Sequence, residues 1–208
     1  EVEATIVSEM VATLQANNFE IAPVLRQLFK SEHFFDVATI GHLIKSPIEL
    51  FISTQHILNM NYDDGILNTI FYFSNQLGQQ LLSPVNVAGW PGYRSWINEN
   101  TLARRWDAAN WQGYATYDSS SANWVTLAKN LTGNSADPLV IVTAVVDYMF
   151  ANGMPDAADY LIATTVFKGG VPENYFVDGS WTLDWPDAPY QMLNLLMHLM
   201  RLPVYQLS

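Results

Sequence analysis

The sequence predicts an all-α protein: a multi-helix orthogonal array with little or no sheet, broken by one long Trp/Pro/Gly-rich crossover loop. Three observations predict it. Apolar residues recur at i, i+3 and i+4 through most of the 208 residues. Capping pairs stand before the apolar runs, as at Ser46-Pro47 and Asp137-Pro138. Strict alternation is nowhere sustained, and no Asn-Gly or Asp-Gly pair joins two alternating runs.

Residues 2–16 place Ile6, Met10, Val11 and Leu14 at helical spacing, and Asn17-Asn18 ends the segment. Residues 21–30 continue with Val24, Leu25, Leu28 and Phe29 on one face. Ser46 caps a helix that Pro47 opens and that ends near Asn59. Asp63 and Asp64 favour the next N-terminus, from which Ile66, Ile70, Phe73 and Leu77 run on toward Gln80. Asn98 caps a helix expected to end around Gly113. A polar stretch, 114–123, then precedes a short helix over 124–131. The Val/Ile-rich segment 138–150 suits a strand by composition. Its Asp-Pro start, its length and Gly153 favour a helix. Segments 156–167 and 189–200 complete the set. The whole of 1–208 reads as a single helical domain with a soft internal division near 114–123.

Composition narrows the function. Hydrophobic residues make up 50% of the chain, enough for a buried core, while charged residues are only 14%. The net charge of −11 reflects few bases rather than many acids, so there is no basic stripe for nucleic acid or anionic lipid. With no cysteine, disulfides, thiolate nucleophiles and Cys-type zinc sites are excluded. No apolar run approaches the roughly 20 residues of a membrane span. The sequence begins at Glu1 rather than Met and is expected to be part of a longer protein.

The most constrained stretch is "SPVNVAGWPGYRSWIN", residues 83–98. Pro84 cannot continue the preceding helix, Pro91-Gly92 fits the centre of a type II turn, and Gly89 supplies a second permissive point. A rigid loop is expected, holding Trp90 and Trp96 in fixed places. Packing into the helical core is the default role for both rings. The polar residues Asn86, Arg94, Asn98 and Arg104 suggest a second role, convergence on one anionic or hydroxyl-rich group. Arg94, Arg104 and Arg105 are three of only nine bases in an acidic chain. Together Asn86, Trp90, Arg94, Trp96, Asn98 and Arg104 form the candidate ligand-binding set.

Catalytic signatures are absent: there is no HExxH, P-loop, GxSxG or GxGxxG. Glu32, His33 and Asp36 lie within one turn, but three such letters at a helix end arise readily by chance, and no metal or cofactor is expected. Segment 177–190, "VDGSWTLDWPDAPY", sets Asp178, Asp184 and Asp187 around Trp181 and Trp185. Two carboxylates beside aromatic platforms are the minimum for glycoside hydrolysis. The alternate spacing of a calcium loop is missing, and Asp187 is also a natural N-cap. Ser119, Ser120 and Ser121 lack the sharp turn that makes a nucleophile.

"PVNVAGWPGYRSWIN" followed by "TLARR", together with "FKSEHFFDVATIGHLIKSPIEL", "PDAADYLIATTVF" and "LLMHLMRLPVYQLS", resembles the domain of unknown function 1800 family across nearly the whole chain. The resemblance implies the C-terminal half of a longer, helical, bacterial protein that is secreted or periplasmic. Genes of that family often neighbour those of another exported, sulfatase-like family. It carries over no catalytic residues, and Tyr93 departs from the small residue common in the motif. The function expected is therefore an exported, non-catalytic helical module. It would bind a partner protein or a cell-surface polymer, such as an acidic or sulfated glycan, and not nucleic acid. The alternative is a glycan- or ester-acting hydrolase using the loop carboxylates, with Arg94 or Arg104 as anion clamp.

Overall fold

Side-chain caps set where four of the nine described α-helices begin. In the computed structural model, which describes residues 3–208, two compact units form, one ending at Ile40 and the other comprising Gly41–Ser208.

In the first unit, α1 (Ala4–Ala16) packs against α2 (Ile21–Lys30), and two 3-10 turns, Glu32–Phe35 and Val37–Thr39, follow. The expected helix start at residue 2 lies outside the described residues. Asn17 closes α1 by donating from Nδ2 to the Thr13 carbonyl at 2.8 Å. No described side chain of this unit is buried.

The second unit holds the core. Ser46 and Glu49 close a capping box on α3 (Pro47–Ile57), Oγ accepting from the Glu49 amide and the Glu49 carboxylate accepting from the Ser46 amide. Asp63 caps α4 (Asp64–Gln76) by accepting from the Ile66 amide at 2.9 Å. Asn98 caps α5 (Glu99–Thr132), and Asp137 caps α6 (Pro138–Met149). The Val/Ile-rich segment is thus a helix, burying Ile141, Val142, Val145, Val146 and Met149 along one stripe. Then come α7 (Ala157–Lys168), the short α8 (Glu173–Val177) and α9 (Ala188–Arg201). Among the described residues no strand forms, and the all-α fold stands; two isolated bridges are the only ladder pairing.

Three boundaries differ from the sequence reading. α3 stops at Ile57 and α4 at Gln76, each a little short. The larger correction is α5, a single helix of 34 residues that runs through both Gly113 and the polar stretch 114–123. Gly113 is a point of close approach, not a stop: a Cβ there would lie 2.9 Å from Leu193 Cδ1 and 3.0 Å from Met197 Cγ on α9. The serines stay helical because Ser120 turns inward, and its hydroxyl accepts from the Asn61 amide at 2.8 Å.

α9 is apolar nearly all round and lies at the centre, against α5 and α7. Trp124, Ile141, Val145, Phe167, Trp181, Met192 and Leu196 are among the buried residues of the main core. A smaller cluster joins Phe51, Ile70, Leu77 and Ala108 beneath α3 and α4. The last residues pair antiparallel with residues 43–45: the Ser208 amide donates to the Leu43 carbonyl at 2.8 Å, and the Lys45 amide to the Gln206 carbonyl at 2.8 Å.

Candidate functional site

The loop between α4 and α5 is built from its own hydrogen bonds. Asn86 Oδ1 accepts from the Ala88 amide at 2.8 Å, and the Asn86 carbonyl accepts from the Gly89 amide at 3.0 Å, closing a tight turn. Gly89 has φ +92°. Gly92 also has positive φ, +68°, but its ψ of 174° is extended, so Pro91-Gly92 does not form the expected type II turn. Gly92 instead precedes a 3-10 turn, Tyr93–Trp96, whose Ser95 amide and hydroxyl both donate to the Gly92 carbonyl. Tyr93 sits at φ +49°, a conformation that a small residue adopts more easily.

The six candidate residues go to different tasks. Asn86 and Asn98 serve backbone turns, Asn98 Oδ1 accepting from the Asn100 and Thr101 amides at 3.0 Å. Trp96 is buried, and its carbonyl accepts from the Thr101 hydroxyl at 3.0 Å. Trp90 is half-buried, with its indole N–H enclosed and unpartnered. Arg94 is exposed with its guanidinium 5.6 Å from the Tyr93 ring centroid, and Arg104 is exposed on α5. Among the described residues no hydrogen bond or ring contact links any two of the six. The loop's outer surface is aliphatic: Leu82 is 99% exposed, Val85 70%, and Val87 fully so. Between Asp64 and Glu99 the sequence carries one charged side chain, Arg94.

Arg105, the third base of the group, turns the other way. Completely buried, it donates from Nη2 to the Lys45 carbonyl at 2.8 Å and from Nη1 to Gln206 Oε1 at 3.0 Å. Lys45, also buried, donates to the Tyr205 carbonyl at 2.8 Å and lies 4.1 Å over the Tyr205 ring. Neither cation is ion-paired; the two salt bridges among the described residues are Lys129–Asp184 and Lys168–Glu173. Desolvation lowers the Lys45 ammonium to about 8, with Glu49 opposing and Arg105 reinforcing the shift. Burial also lowers the Arg105 guanidinium, and raises the Tyr205 phenol to about 12 despite its hydrogen bond with Thr54. Sequence reasoning missed this clasp, although "TLARR" held a clue. Consecutive helical residues point about 100° apart, and Arg105 shares the face of Ala108, Ala109 and Gln112, all buried.

The carboxylates of segment 177–190 also separate. Asp184 pairs with Lys129 at 2.5 Å. Asp178 accepts from the Ser180 hydroxyl and amide, which hold its carboxyl below the ordinary range. Asp187 occupies the N-cap position of α9, yet its side chain makes no capping hydrogen bond. Trp181 is fully buried and donates from Nε1 to Gln191 Oε1 at 2.9 Å, whereas Trp185 is half-buried. Asp36, from the Glu32–His33–Asp36 turn, caps a 3-10 turn by accepting from the Ala38 amide at 2.9 Å. Among the described residues no three His, Asp or Glu side chains gather as a metal site, and no helix is long and apolar enough to cross a membrane.

The family model described as "Protein of unknown function (DUF1800)" matches residues 1–207. No curated protein and no solved structure matches the chain.

Proposed function

We propose that this chain, which belongs to the DUF1800 family, is a non-catalytic binding module of an exported bacterial protein and docks a partner protein through the loop between α4 and α5. The observation that carries this reading is the loop's exterior. Leu82, Val85 and Val87 are exposed together on a segment held by Asn86, Gly89 and the Asn98 cap. A rigid apolar tip loses little conformational entropy on binding, which is what a docking element needs. Exposed apolar residues are ordinary, but among the described residues of the second unit only Val177 outside this loop has a large apolar side chain as exposed as these three.

A protein partner suits this surface better than a sulfated or uronic polymer. An anionic polymer requires several cations, and here Arg105 is internal, leaving Arg94 and Arg104. The partner's complementary feature would be an apolar pocket with a carboxylate at its rim to meet Arg94. Export rests on the resemblance to a family of exported bacterial proteins.

The test is a photo-crosslinking residue at Val87, with one at exposed Ala122 on α5 as control, in the protein expressed by a bacterium that carries it. A single protein adduct from position 87, absent at 122 and lost in Val85→Ser, is the expected result. Identical adduct patterns from the two positions would end the reading. Val85→Ser should leave the unfolding midpoint unchanged, since exposed substitutions shift stability by no more than about 0.5 kcal/mol.

A further inference from the structure

We infer that the cleft between the end of α7 and the start of α9 binds a neutral saccharide. The cleft is open to solvent, with a volume of about 500 Å³. Tyr175, Trp185 and Tyr190 contribute its aromatic surface, with the Tyr175 and Trp185 ring centroids 5.4 Å apart at 60°. Asp187 and Asn194 contribute its polar groups.

The hydrogen-bonding state of these groups matters more than their identity. The Trp185 indole, the Tyr175 and Tyr190 phenols, the Asn194 amide and the Asp187 carboxylate have no hydrogen-bond partner among the described residues. Their neighbours are fully engaged. Trp181 donates to Gln191, whose Nε2 in turn donates to the Phe167 and Lys168 carbonyls at 3.2 and 3.1 Å. The Lys168 ammonium reaches both Glu173 oxygens, at 2.8 and 2.9 Å. The cleft therefore has an aromatic wall on a fixed floor, several unused donors, one unused carboxylate and no unpaired cation of its own.

That combination fits a sugar ring. A pyranose lays its C–H face on an aromatic ring, while its hydroxyls accept from indole, phenol and amide and donate to the carboxylate. Aromatic rings with a carboxylate can also hold a quaternary ammonium. Such a cation offers no acceptor, however, and would make no use of the Trp185, Tyr175, Tyr190 and Asn194 donors. An acidic sugar would meet Asp187 with like charge. This site is independent of the loop at 82–97, so either reading can fall without the other.

Isothermal titration of the purified chain decides it, using β1,4-linked glucose, β1,4-linked N-acetylglucosamine and α1,4-linked glucose tetrasaccharides, polygalacturonate and choline chloride. Saturable binding of at least one neutral tetrasaccharide is expected. Asp187→Asn and Asn194→Ala should each weaken it, Asp187→Asn by about tenfold or more because a charge-assisted hydrogen bond is lost. Both variants should keep the parental melting temperature, and Val87→Ser should bind sugar as the parent does. The inference is overturned if no neutral tetrasaccharide binds. It is equally overturned if Asp187→Asn and Asn194→Ala leave sugar affinity intact, or if choline or polygalacturonate is the ligand taken up instead.

Discussion

The loop ending at Asn98 and the segment from Gly169 to Asp187 each set two tryptophans amid prolines and glycines, but the first has Arg94 as its only charged side chain while the second carries four carboxylates. They produce opposite surfaces. In the first, Asn86, Ser95 and Asn98 turn their polar atoms onto neighbouring backbone, and what remains outside is aliphatic. In the second, Trp181 fixes the segment from within the core, and Trp185 and Asp187 are left with hydrogen-bonding capacity facing a cleft. Where a loop satisfies its own polar groups determines what it can offer a partner. Both segments bury a ring, Trp96 in the first and Trp181 in the second, and the difference lies in what is left outside: aliphatic side chains in one, carboxylate and aromatic groups in the other.

The strongest way to break this contrast is to remove the anchors. Trp181→Ala should cost about 3–5 kcal/mol, as full truncation of a buried aromatic does. Trp90→Ala, removing a half-buried ring, should cost under about 2 kcal/mol because less area is returned to water. Urea denaturation of both variants measures this. Equal losses would mean that Trp90 is packed as deeply as Trp181.

The helices were legible because their signals are local. Ser46-Pro47, Asp63, Asn98 and Asp137 each cap a helix at the position the sequence indicated. Failures came where a residue answers to a distant neighbour. Gly113 read as a helix end, but its missing side chain admits Leu193 and Met197, some eighty residues away in sequence. Ser120 read as loop, but its hydroxyl meets the Asn61 amide. The same applies to the sites. Asn86 reads as free for a ligand, and Asn98 reads as both cap and ligand, because residue type does not reveal that an amide is already bonded to its own turn. Asp187 looked like a cap because position does not reveal that its carboxylate stays unbonded.

An intermediate effect separates the two segments by pH. Thr101 holds the Trp96 carbonyl, and Arg105, one turn along α5, reaches the carbonyl of Lys45. The first loop is thereby joined through α5 to the backbone of Lys45, whose buried ammonium bonds the Tyr205 carbonyl. With Lys45 lowered to about 8 in the folded protein from 10.5, the native state releases this proton earlier than the unfolded chain. Between about pH 8 and 10 the unfolded chain holds more protons, so stability rises with pH. Above about pH 10 Tyr205, raised to about 12, works against the trend because the unfolded phenol ionises first, while the lowered Arg105 guanidinium works with it. The parent should gain about 1–2 kcal/mol across this window, and Lys45→Met should lack the gain. Parallel curves would show that Lys45 titrates alike in both states.

The smallest effect is the most discriminating, because its sign differs between the segments. Trp90 and Trp181 both enclose an indole N–H, but only Trp181 has an acceptor, Gln191 Oε1 at 2.9 Å. Replacing Trp181 with Phe removes a hydrogen bond and leaves the buried Gln191 oxygen without a donor, a loss of about 1–3 kcal/mol on top of the lost volume. Replacing Trp90 with Phe removes a donor that has no acceptor, so relief of that desolvation cost offsets the smaller ring. Trp90→Phe should therefore match the parent within about 0.5 kcal/mol or exceed it, while Trp181→Phe falls clearly below. Paired thermal and urea melts read both. If Trp90→Phe loses as much as Trp181→Phe, the Trp90 indole has an acceptor in solution. The enclosed indole N–H of the first loop would then be satisfied as that of Trp181 is, and the two segments would not differ in how they treat a buried donor.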